Sequence, residues 1–225
     1  MRRAVILAGI WACGWVCAAA PPAEERTPLQ RLWEQSFAAE RATNYVAGLE
    51  ATRQIIATSD CYLANLRLGW LQYLRGAPGE GIAAYNRAVA MAPGAVTPLL
   101  GLVNCYMATG QTNEAWRTVR TVLAIDPMQY TANLRIAELS TASGDHAAAS
   151  AYYRKLAALY PEDMVVADAL AWSCLRQGLK DEAQTIFTNV LIAFPADASA
   201  REGYRACTEG PHDRRDQTKK PAAQR

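Results

Sequence analysis

The chain has 225 residues, 51% of them apolar, enough for a sizeable buried core and too apolar for a disordered polymer. Only three Phe occur while small Ala is abundant, a mixture that suits closely packed helices and argues against a β-sandwich. Two of the 23 basic residues, Arg2 and Arg3, stand at the N-terminus, and the other 21 balance 21 acidic ones, so no long-range positive field marks a nucleic-acid binder.

Residues 1–19 read as a secretory signal peptide. Arg2-Arg3 supply the positive start, Ala4 to Val16 is an uncharged apolar run, and Ala18-Ala19-Ala20 offers small residues for cleavage. Pro21 obstructs a cut directly after Ala20, which places it after Ala18 or Ala19. The expectation is a periplasmic or secreted protein. The alternative is a chain anchored in the membrane and facing the periplasm, through an uncleaved signal or a lipid on Cys13 or Cys17. The apolar run is short for a span of ~20 residues, and Trp11 before Ala12-Cys13 fits an acylation site poorly. Residues 20–28 form a linker.

Residues 29–61 follow, with Leu32, Ser36, Asn44-Tyr45, Gly48 and Ile55 spaced as in a pair of amphipathic helices. From residue 62 a repeat takes over. Gly76, Gly110, Gly144 and Gly178 are each 34 residues apart, and Pro93, Pro127, Pro161 and Pro195 keep the same interval, always 17 residues behind the matching Gly. Gly suits the left-handed conformation that closes a helix, and Pro cannot continue one. Between them lie the small residues Gly81, Ala115, Ala149 and Ala183, with Gly69, Val103, Ala137 and Ala171 seven positions before each turn Gly. Small side chains there let two helices approach closely. Tyr85, Val119, Tyr153 and Phe187 continue the buried stripe, with Ala88, Val122, Leu156 and Val190 three residues on. Ala198 to Cys207 reads as one more helix covering the last apolar face. Residues 208–225 are polar, charged and without periodicity, and are read as a disordered tail.

The pattern Leu68-Gly69, Gly76, Gly81, Tyr85, Ala88, Pro93 resembles the tetratricopeptide repeat (TPR) family, whose unit is a 34-residue helix–turn–helix. The aromatic expected early in each unit is replaced by Asn65, Leu99, Asn133 and Ala167. The resemblance implies an all-α fold, a right-handed α-solenoid of stacked pairs. Its units run 62–95, 96–129, 130–163 and 164–197. A degenerate first unit occupies 29–61, lacking the turn Gly and the final Pro and one residue short. A capping helix occupies 198–207.

Chemistry is sparse in this sequence. His146 and His212 lack a second His or Cys at ligand spacing, and neither a G-x-S-x-G elbow nor a phosphate-binding Gly-Lys-Ser loop occurs. Gly76 to Gly81 is read as a turn, and Glu162-Asp163 and Asp181-Glu182 as acids at helix starts, where the helix dipole favours them. The expectation is no enzyme, no cofactor and no metal. Of the cysteines beyond the signal, Cys174 and Cys207 admit a disulfide tying the last helix to the array, or two buried thiols.

In TPR arrays the first helices of successive units line a concave face. By register this face carries Leu66, Trp70, Tyr73, Leu100, Asn104, Met107, Leu134, Glu138, Trp172 and Leu175. Large apolar groups in a row mark an interaction surface, with Trp and Tyr as anchors. The alternative is that the N-terminal segment, or Trp33 and its neighbours, covers them. Arg67 and Arg135 are read as solvated. The Lys and Asn set with which some TPR proteins grip C-terminal carboxylates is incomplete, since Asn104 is present without its cationic partners. The expected function is a non-catalytic scaffold or adaptor of the bacterial envelope, holding an apolar or amphipathic segment of a partner protein. The alternative is an accessory subunit of an envelope enzyme or of a secretion or assembly complex, stable mainly when docked. No nucleic acid is expected, and no membrane contact beyond an anchor.

Overall fold

The computed structural model describes residues 26–209, so the signal peptide, linker residues 20–25 and tail residues 210–225 lie outside the described residues. The described chain is helical throughout: α1 Pro28–Arg41, α2 Tyr45–Thr58, α3 Tyr62–Leu74, α4 Pro78–Met91, α5 Val96–Ala108, α6 Thr112–Ile125, α7 Tyr130–Ala142, α8 His146–Leu159, α9 Met164–Arg176, α10 Lys180–Ala193 and α11 Ala198–Thr208. Two ends differ from expectation. Pro28 opens α1 instead of closing the linker, because a first-turn proline has no N–H to lose and Thr27 caps it through a reciprocal bond with Gln30. At the other end, α11 runs one residue into the expected tail.

Each helix start and stop has a local cause. Gln129, Asp163 and Asp197, 34 residues apart, cap α7, α9 and α11, each side chain accepting from a first-turn backbone N–H. Gly144 sits at φ +81°, and the residue after it, Asp145, donates its N–H to Ser140 O at 2.9 Å, closing α7. In the first pair, which has no turn glycine, Thr43 takes up the left-handed conformation instead at φ +54°. The next residue closes the turn in the same way, Asn44 N to Ala39 O at 2.8 Å.

Successive helices pack side by side along the whole array, and α3 also touches α5, α5 touches α7, and α9 touches α11. The odd-numbered helices therefore form the inner layer of an α-solenoid. Its seam holds Leu71, Val103, Val119, Leu156, Val166 and Phe187, all fully buried. Asn65 and Asn133, which replace the expected aromatic, are also fully buried and tie down the loop before their own helix. Asn133 Nδ2 donates to Pro127 O at 3.1 Å and Gln129 O at 2.8 Å, and Asn65 Nδ2 donates to Cys61 O at 3.1 Å. Polar side chains thus do by hydrogen bonding what the family aromatic does by packing.

Candidate partner-binding groove

The inner layer is not uniform. Its N-terminal half holds a hollow of about 620 Å³ between α1, α3 and α5. Trp33 and Phe37 form one wall, Leu63, Leu66 and Trp70 the floor, and Leu100, Gly101 and Asn104 the far side. Trp33 and Phe37, one turn apart on α1, stack with ring centroids 6.0 Å apart, and Trp70 stacks on Tyr73 at 6.1 Å. A volume of this size suits a few large side chains of a partner.

A polar cluster behind the wall fixes its position. Arg67 Nε donates to Ser36 Oγ at 2.9 Å and Nη2 to Ser36 O at 2.8 Å, Nη1 pairs with Glu40, and the guanidinium lies 4.2 Å from the Phe37 ring centroid. Trp70 Nε1 donates to the other Glu40 oxygen at 2.8 Å. Burial pushes the Glu40 carboxyl up, but the hydrogen bonds from Trp70 and Arg67 and the Arg67 charge outweigh it and hold the group below its ordinary 4.5. Arg67 is therefore not the solvated arginine expected from the sequence. It is only 8% exposed, and it joins α1 to α3. Arg135 is likewise engaged, with Asn104 Oδ1 at 2.9 Å and Glu138 Oε2 at 2.7 Å.

Of the residues placed on this face by register, Leu66, Trp70, Leu100 and Asn104 meet in the hollow. Tyr73 and Met107 are half-buried against the core built from α4 to α7, and Leu134 and Leu175 against the C-terminal core. Trp172 belongs elsewhere. Its ring packs edge-on against Phe187 at 5.4 Å and its Nε1 donates to Ser199 Oγ at 2.9 Å, which in turn donates to Asp168. It lines a separate hollow of about 280 Å³ with His146 and Tyr153. Trp33 does not cover the face but extends it, together with Phe37. The i, i+4 spacing of these two aromatics is the trace they leave in the sequence.

In the structure Cys61, Cys105, Cys174 and Cys207 are free thiols, and no bridge joins Cys174 to Cys207. Cys174 is fully buried and looks back toward α8, its sulfur 3.7 Å from Arg154 Nη2, whereas Cys207 is half-buried on the last turn of α11 near Lys180. The two sulfurs have different neighbours. Among the described residues no three His, Cys, Asp or Glu side chains gather as metal ligands, and no helix is long and apolar enough to cross a membrane.

Three family models, each described as tetratricopeptide repeat, match residues 32–96, 72–137 and 131–163, together more than half the chain. The chain belongs to the tetratricopeptide repeat family. Solved TPR structures share its fold at low identity. One from Parabacteroides merdae is 20% identical over 80% of this chain and 72% of its own, with a TM-score of 0.71. A thermophilic TPR protein of Thermus thermophilus is 19% identical over 80% of this chain and 98% of its own, with a TM-score of 0.58. PilW, titled a widely conserved type IV pilus biogenesis factor, is 18% identical over 78% of this chain and 82% of its own, with a TM-score of 0.69. No curated protein matches the chain.

Proposed function

We propose that this TPR protein is a non-catalytic scaffold or adaptor of the bacterial cell envelope that holds an apolar or amphipathic segment of a partner protein between α1, α3 and α5. One observation carries the reading: the hollow walled by Trp33, Phe37, Leu66, Trp70 and Leu100 leaves Trp70 38% and Phe37 44% exposed. Aromatics left in water inside a concave apolar surface are the usual anchors of a docked segment. The charged groups beside it, Arg67 with Glu40 and Arg135 with Glu138, are committed to each other, which speaks for binding and against acid–base chemistry. Arg2-Arg3 followed by the apolar run to Val16 supports export to the periplasm, with membrane anchoring as the alternative.

Crosslinking in the native envelope tests the reading, comparing the full chain with a Phe37→Ala/Trp70→Ala variant of unchanged helicity. A species captured by the first and lost by the second supports the groove, and identical capture by both removes it. A second reading, an accessory subunit stable mainly when docked, is favoured by the exposure of Val165 at 78% and Ile192 at 75%, well outside the groove. Solution scattering on the purified chain separates the two, since a folded monomer counts against obligate docking.

A further inference from the structure

We propose that the Tyr85 hydroxyl determines what the groove accepts: its occupant is a peptide segment that presents a backbone carbonyl to this hydroxyl, not a bare hydrocarbon chain. The inference rests on the groove reading above and adds the chemistry of the partner.

Tyr85 is a core residue of α4, 3% exposed, yet it lines the groove on the opposite side of α3 and α5. Two glycines make this crossing. A Cβ on Gly101 would stand 2.4 Å from the Tyr85 ring, and one on Gly69 would stand 2.8 Å from it, so the ring fills a slot that exists because both side chains are missing. The hydroxyl at its tip is bonded to no described residue, and burial pushes its pKa well up.

Tyr153 is the same position two units on. It is buried to the same degree and lines the smaller hollow together with Thr141. The residue matching Thr141 two units earlier is Tyr73, which stacks on Trp70 and forms no bond with Tyr85. One position in the repeat therefore opens on two different hollows, a polar one with His146, Ser173 and Arg176 at Tyr153 and the larger, mostly apolar one at Tyr85. An occupant that covers this hydroxyl takes it out of reach of water, so one that supplies an acceptor gains over one that cannot.

The acceptor is a neutral one. Arg67, the cation lining this hollow, is already taken up by Glu40 and Ser36, so a carboxylate would enter without a free counter-charge. A peptide carbonyl flanked by apolar side chains matches one hydroxyl set in an apolar lining.

The test uses the full chain, Tyr85→Phe and, as a control, Tyr153→Phe, each checked for native helicity. Two probes are titrated by tryptophan fluorescence: the capped peptide acetyl-Leu-Phe-Leu-amide, and monomeric dodecyl maltoside as a hydrocarbon chain. The peptide is expected to bind about tenfold more weakly to Tyr85→Phe, with Tyr153→Phe unchanged and the dodecyl chain no weaker on either variant. Equal peptide affinity for the full chain and Tyr85→Phe overturns the proposal. Binding of the dodecyl chain without the peptide overturns it in favour of a lipid. Trp70→Ala is the separate arm: if it leaves both probes unaffected, they sit elsewhere, and the groove reading fails along with this inference.

Discussion

Glu40 on α1 bridges two side chains of α3, accepting from Trp70 Nε1 at 2.8 Å through one oxygen and pairing with Arg67 through the other. The groove wall and the groove floor are thereby joined by one carboxylate. Glu40→Gln should destabilise the chain by about 2 kcal/mol, since it leaves the Arg67 guanidinium buried without its counter-charge while the Ser36 bonds persist. The folded pKa of Glu40 lies below its ordinary value, so its contribution is full above that value and fades as pH falls through the folded one. Urea unfolding at pH 7 and at pH 3 should therefore show a larger difference between parent and variant at pH 7. Equal differences at both pH values would contradict the bridge.

Trp70 and Trp172 occupy matching registers and do different work. Trp70→Ala should leave the melting temperature within a few degrees and weaken partner binding by at least about 2 kcal/mol. Trp172→Ala removes the packing on Phe187 and the bond to Ser199, and should cost about 3 kcal/mol of stability. Paired melting and binding curves decide the matter, and a reversed assignment would relocate the binding face.

Thr43 holds a left-handed backbone in the pair that lacks a turn glycine. A β-branched side chain there is strained, with a bond from its hydroxyl to Ala42 O at 2.7 Å as partial compensation. Thr43→Gly is expected to stabilise the chain by about 1 kcal/mol, measured by urea denaturation. A destabilisation of that size would mean the hydroxyl bond outweighs the strain.

Gly203 lets α11 lie on Phe187, because a Cβ there would come within 2.1 Å of Phe187 Cζ, and that ring is fully buried with no room to retreat. Gly203→Ala should cost about 1–3 kcal/mol and loosen α11 selectively. Hydrogen exchange is the measurement, with faster exchange confined to residues 198–208.

The thiols should titrate in two classes. Cys61 and Cys207, half-buried, react with a small aromatic disulfide in the native state, while Cys105 and Cys174 wait for unfolding. Burial pushes the Cys105 thiol up to about 11, so it stays protonated and unreactive near neutrality. Mass spectrometry after alkylation without reductant should find all four labelled in denaturant, and a pair resistant until reduction would restore the bridge between Cys174 and Cys207.

The 34-residue interval of Gly and Pro determined the fold by itself, because a helix stop and a helix break are local events that one residue enforces through its own backbone. The cap at Asp163 was legible for the same reason. The site was legible only in part. Register alone places Leu66, Trp70, Leu100 and Trp172 on one face, since a helix fixes direction along its own axis. What lies opposite depends on the neighbouring helix, and that the sequence does not state. Only the stacked array puts Phe37 and Arg67 behind Trp70, lets the Tyr85 ring pass between two distant glycines, and packs Trp172 away against Phe187. These contacts join residues about thirty positions apart or more, or cross between layers, and their geometry is set by how closely small residues let the helices approach.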